Sequence, residues 1–117
     1  MPDWSVKIQD NPGTPPKPGQ PALPAVYTPD IDGTPAGAPL KVVQGDIVSW
    51  NNTTDQEHWP APDDLDLHGS FMAEPIKPDS ASTAYNIIAE AGTTITYKCL
   101  LHPDEHGQIV VVNFGEN

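Results

Sequence analysis

Fifteen prolines and nine glycines are scattered along this chain, and few windows between them repeat apolar residues at helical spacing. A proline inside a helix removes a backbone donor and clashes with the preceding turn, so a chain punctuated this densely has little room for helices. What recurs instead is short β-type runs divided by turn residues, expected as strands at 6–9, 25–28, 40–43, 47–51, 83–89, 93–99 and 108–114. Residues 11–24, with Pro-Gly, Pro-Pro and Pro-Gly steps, read as a stiff, extended loop insertion. The polar stretch 52–78 is expected to hold at most a helical turn, at 65–67 or 70–73. Six to eight short strands separated by turns point to an all-β sandwich or barrel. The 117 residues fit a single domain, 1–117.

The run 93–99 defines a face. Ile95, Tyr97 and Cys99 alternate with Thr94, Thr96 and Lys98, the period-two pattern of a strand with one side buried and the other wet. Cys99 therefore falls on the inward side at a strand end. It is the single cysteine, which excludes an internal disulfide, a CxxC redox pair and a multi-cysteine zinc cluster. A lone cysteine reads first as a small buried hydrophobe, but its neighbours argue for more. The segment Cys99-Leu100-Leu101-His102-Pro103-Asp104-Glu105-His106-Gly107 holds the sole thiol and two of the four histidines. Thiolate with imidazole suits copper or zinc, and a cysteine with two histidines in one plane is a copper electron-transfer arrangement. The strand end holds Cys99, and the short loop returns His102 to the same point, with Pro103 limiting backbone freedom. A second imidazole must come from elsewhere. His58 is the best candidate, because it follows the strand at 47–51 across a short polar connection.

These residues also resemble a known family. Gly45-Asp46-Ile47-Val48-Ser49-Trp50-Asn51-Asn52, followed shortly by His58, is similar to the cupredoxin strand that leads to the first histidine ligand. Tyr97-x-Cys99-x-x-His102-Pro103-x-x-x-Gly107-x-Ile109-x-Val111 resembles the carboxy-terminal ligand loop of that family, in the short form of amicyanin-like and plastocyanin-like proteins. His58-Trp59-Pro60-Ala61 is similar to a group of bacterial cupredoxin-like domains. The resemblance covers position 40 to the end and implies a Greek-key β-sandwich, bound copper, electron transport and a place outside the cytoplasm, periplasmic or extracellular. It also exposes a departure. Where the short loop carries its axial methionine, this chain has Glu105, and its only methionines are Met1 and Met72. Three arrangements are open at the fourth position: Glu105 through a carboxylate oxygen, His106, or water or no ligand. The second resembles nitrosocyanin, whose red copper site adds an upstream glutamate, a part Glu57 could play. An open position would suit small-molecule redox chemistry; copper trafficking or zinc binding are further alternatives to an electron carrier.

The remaining residues narrow the functional class. Sixteen acidic against five basic residues give a formal charge of −11, which nucleic acid and anionic membrane would repel. The acidity keeps the protein soluble or steers a basic redox partner such as a cytochrome toward it; a monomer is expected. No stretch approaches the ~18–20 apolar residues needed to span a bilayer. Met1-Pro2-Asp3-Trp4 lacks the basic region and apolar run of a signal peptide, so the expectation is a mature form with a replacement Met1, or a cytoplasmic protein. No Ser–His–acid ordering, paired catalytic carboxylates or phosphate-binding glycine loop stands out, and an electron carrier is expected rather than an enzyme. Trp50, Tyr85, Tyr97 and Phe114 read as core, with Trp59 packed over it. His68 and the Asp63, Asp64, Asp66 group read as solvated surface, since the acidic group lacks the oxygen spacing of a calcium loop. Asn51 or Asn52 either forms a turn or donates a hydrogen bond to the thiolate.

Overall fold

Proline density and β-type runs translate into a nearly all-β architecture. The computed structural model describes residues 3–9 and 25–115; the expected loop insertion at 11–24 lies outside the described residues. Nine strands occur among them: β1 (Asp3–Gln9), β2 (Val26–Pro29), β3 (Leu40–Val43), β4 (Ile47–Asn52), β5 (Pro60–Pro62), β6 (Ser80–Ala81), β7 (Tyr85–Asn86), β8 (Thr94–Cys99) and β9 (His106–Val112). One helical turn, α1 (Leu65–His68), lies between β5 and β6. The Asp64 carboxylate caps it by accepting the Leu67 N–H.

Two mixed sheets face each other. In one, β2-β1-β4-β6 run in order with β7 also on β4; in the other the order is β3-β9-β8-β5. β1 lies parallel to β4, and β3 parallel to β9, while the other pairs are antiparallel. Each inner face follows from residue alternation: Val6 and Ile8 on β1, Val48 and Trp50 on β4, Ile95, Tyr97 and Cys99 on β8, Ile109 and Val111 on β9 are all buried. The expected face of β8 is the observed one. Between the sheets Trp50 stacks on Phe71 with centroids 4.6 Å apart, and Tyr97 meets both edge-on. Offset-stacked and edge-to-face geometries suit the quadrupoles of these rings.

Two glycines, one in a turn and one in a strand, are dictated by sterics. Gly45 takes φ +95 between β3 and β4, a left-handed conformation glycine reaches without a Cβ penalty. Gly107 faces Tyr97 across β8–β9, and a Cβ there would lie 2.3 Å from Tyr97 Cζ. The buried Asp46 carboxylate then ties β1 to the β3–β4 turn, accepting the Trp4 indole N–H at 2.8 Å and the Val43 N–H at 2.9 Å.

The departures from expectation have reasons in the packing. β5 forms within the stretch 52–78, where no strand is expected; its two prolines are tolerated because, among the described residues, it is an edge strand paired with β8 alone. The helical turn forms at α1 and not at 70–73, where Phe71 and Met72 enter the core instead. Phe114 is 91% exposed, not core: β9 ends at Val112, where its partner β3 runs out at Val43, so Phe114 falls beyond the ladder.

Candidate metal centre

At one end of the sandwich three chain segments converge. The first leaves β4 at Asn52, turns through 53–57 and reaches His58, which exchanges two backbone hydrogen bonds with Ile76. The second is Cys99, the last residue of β8. The third is the loop after it, wound into two successive turns: His102 N–H donates to Cys99 O at 3.2 Å and Glu105 N–H to His102 O at 2.9 Å. Cys99 N–H in turn donates to Glu105 O at 3.1 Å, so Glu105 is folded back beside the cysteine.

His58, Cys99, His102 and Glu105 each offer one ligand atom, and these atoms lie within 4.8 Å of one another. Cys99 Sγ is 3.5 Å from His102 Nδ1 and 3.9 Å from His58 Nδ1. Glu105 Oε1 is 2.9 Å from His58 Nδ1 and 3.8 Å from His102 Nδ1. His58, Cys99 and Glu105 are buried, whereas the His102 side chain is 34% exposed between the exposed Leu101 and Pro103. A thiolate, two imidazoles and a carboxylate form a donor set with which a copper or zinc ion is compatible.

The surroundings polarise these groups. Burial favours a neutral Cys99, but hydrogen bonds from His58, the Trp59 N–H, His102 and the Leu101 N–H outweigh it and bring the thiol from 9.0 down to about 6. Burial likewise disfavours a charged His58, yet Cys99 and Glu105 raise it from 6.5 to about 9. Glu105 is held below its ordinary value against burial, first by His58 and then by the Ala25 N–H. Its Oε2 accepts that N–H at 3.0 Å, and its Oε1 accepts the Tyr27 hydroxyl at 3.2 Å. These shifts all favour the charged forms in the metal-free site: thiolate, carboxylate and imidazolium side by side near neutral pH.

The expected residues separate cleanly. His106 is exposed at the first position of β9, opposite Lys98, and Glu57 is exposed; neither joins the cluster. His68 ends α1, where its carbonyl accepts the Tyr85 hydroxyl. Neither Asn51 nor Asn52 donates to the sulfur; beside the two imidazoles its donors are backbone N–H groups, that of Trp59 at 3.2 Å and that of Leu101. The register explains the Trp59 contact, since Pro60 pairs with Cys99. Asn51 is exposed, and the Asn52 carboxamide is engaged elsewhere. Tyr27, Ala25 and Thr54 around the site were not legible beforehand, because they carry no motif and belong to segments remote from Cys99.

A two-sheet β-sandwich with a Cys-His-His-Glu cluster at one end defines a cupredoxin-type metal-binding domain. No family model matches the chain and no curated protein matches it, but solved structures do. It is 30% identical to a reduced proline-to-phenylalanine variant of amicyanin, over 62% of this chain and 67% of that one, with a TM-score of 0.50. The reduced Cu(I) form of a proline-to-glycine variant at pH 4 matches with the same figures. Amicyanin from Paracoccus versutus (Thiobacillus versutus) matches at 27% identity, over 65% of this chain and 71% of that one, with a TM-score of 0.53. The chain belongs to the cupredoxin family, and within it is similar to amicyanin.

Proposed function

We propose that this protein is a copper electron carrier whose metal is held by His58 Nδ1, Cys99 Sγ and His102 Nδ1, with Glu105 in the fourth position. The observation that carries this reading is the convergence of four donor atoms within 4.8 Å, three of them on buried side chains. Bound copper supplies a one-electron Cu(II)/Cu(I) couple. The protein's part is to hold the donors rigidly: Cys99 at a strand end, His58 by its bridge to Ile76, and Glu105 by Tyr27 and Ala25. The Trp59 N–H disperses charge on the sulfur. His102, the one partly exposed member of the group, offers the shortest way for an electron to reach the surface.

The formal charge of −11 suits a basic redox partner such as a cytochrome. Among the described residues no helix is long and apolar enough to cross a membrane; a monomer working in the periplasm or outside the cell fits the family. The test is the absorption and electron paramagnetic spectrum of the Cu(II) protein beside those of Cys99→Ala and Glu105→Ala. An intense visible band, lost in Cys99→Ala and shifted in Glu105→Ala, is expected. A colourless Cu(II) protein with a spectrum indifferent to Cys99→Ala overturns the reading. Spectral change on adding azide or nitrite would favour an open coordination position over Glu105.

A further inference from the structure

We infer that Thr54 is a positioning residue that fixes which nitrogen of His58 faces the metal; the inference rests on the copper reading above. The argument begins at backbone carbonyls. The fully buried Asn52 side chain directs its nitrogen at three of them, Gln56 O at 2.7 Å, Ile76 O at 3.1 Å and Lys77 O at 3.3 Å. Carbonyl oxygens only accept, so the orientation of the carboxamide is forced and its oxygen must point the other way. That oxygen accepts both the Thr54 N–H at 3.0 Å and the Thr54 hydroxyl at 2.7 Å.

Thr54 has one hydroxyl proton. Whether it goes to Asn52 Oδ1 or to Gln56 O at 3.1 Å, it goes to a group that can only accept. Toward His58 Nε2, 2.9 Å away, Thr54 Oγ1 is therefore left with a lone pair. The hydrogen bond forms only when Nε2 carries a proton, so when the ring is neutral, as a metal ligand must be, Nδ1 is the nitrogen that presents a lone pair. Nδ1 is the atom that faces Cys99 Sγ and Glu105. Backbone geometry thus passes through Asn52 and Thr54 to choose the imidazole tautomer, and with both residues buried water does not compete for the choice.

The test compares Thr54→Val, which keeps the shape and removes the acceptor, with Thr54→Ser, which restores it. Cu(I) affinity is read by chelator competition, and the protonated nitrogen of His58 by long-range proton–nitrogen correlation in the Cu(I)-loaded protein. Wild type and Thr54→Ser should show the proton on Nε2 with slow exchange, and Thr54→Val should lose about 10–100-fold in affinity with rapid exchange of that proton. Equal affinity and equal protection in Thr54→Val overturn the inference. So does a wild-type spectrum with the proton on Nδ1, a result that needs no variant to fold. Wild-type protein that takes up no Cu(I) overturns instead the copper reading on which the inference stands.

Discussion

Glu105 Oε1 meets His58 Nδ1 at 2.9 Å across 47 positions of sequence, in the place where a short cupredoxin loop carries a methionine. A buried carboxylate beside a thiolate adds a second negative charge to the site, and such charge favours Cu(II) over Cu(I). For one electron, about 59 mV corresponds to ~1.4 kcal/mol. Replacing Glu105→Met is therefore expected to raise the reduction potential by on the order of 100–200 mV, and Glu105→Gln should shift it in the same direction. Voltammetry of the copper-loaded variants reads this directly. A potential that does not move would remove Glu105 from the ligand set.

Metal uptake should depend on pH with a defined sign. In the metal-free protein the surrounding donors bring the Cys99 thiol down to about 6, and Cys99 and Glu105 push His58 up to about 9. Between these values the thiol is already ionised, but the ring must lose its Nδ1 proton before a metal can bind there. Apparent affinity should then rise roughly tenfold per pH unit between about 6 and 9, more steeply below about 6 where the thiol is also protonated, and level off above about 9. Chelator competition across this range measures the slope. A flat profile from 6 to 9 would mean that His58 yields no proton.

Tyr27 supports the site from the opposite sheet. Its hydroxyl donates to Glu105 Oε1 at 3.2 Å, and burial, then the charges of Cys99 and Glu105, push its pKa far above the ordinary value. It therefore remains a donor throughout the accessible pH range. Hydrogen bonds to charged groups contribute about 1.5–3 kcal/mol, so Tyr27→Phe should lower the stability of the metal-free protein by roughly that amount in urea unfolding at neutral pH. A variant as stable as wild type would show that solvent or another donor replaces the hydroxyl.

Gly107 is required by its neighbour across the ladder. A Cβ would stand 2.3 Å from Tyr97 Cζ and 2.4 Å from its hydroxyl oxygen, inside any tolerable contact. Gly107→Ala is expected to cost roughly 1–3 kcal/mol through overpacking, seen as a lower unfolding midpoint. Combining it with Tyr97→Ala should relieve the clash, so the two losses should fall short of additive. Strict additivity would contradict the contact.

Much of this architecture is local information, and local information is what a chain carries openly. Alternation in Ile95, Tyr97 and Cys99 identified the inward face of β8, because successive side chains of a strand must point to opposite sides. Cys99, His102 and Glu105 lie within seven positions of one loop, so their chemistry could be read together. Strand ends were less legible. β5 survives two prolines because, among the described residues, only one of its edges is paired, and Phe114 lies outside the core because β3 ends first. Both depend on which strands become neighbours, a matter settled by hydrophobic packing over long separations and not by any short window.

The site divides along the same line. Residue types and spacing already contained the thiol and the loop histidine, each a property of a few adjacent positions, and the family resemblance added Glu105 as the acidic substitute for methionine. His58 is a candidate from its place after β4, but its contact with that loop, the Trp59 N–H on the sulfur, the Tyr27 and Ala25 donors on Glu105 and the Asn52–Thr54 relay arise where separate segments pack together. Hydrogen bonds act over about 3 Å, and only the closed sandwich brings these atoms that near.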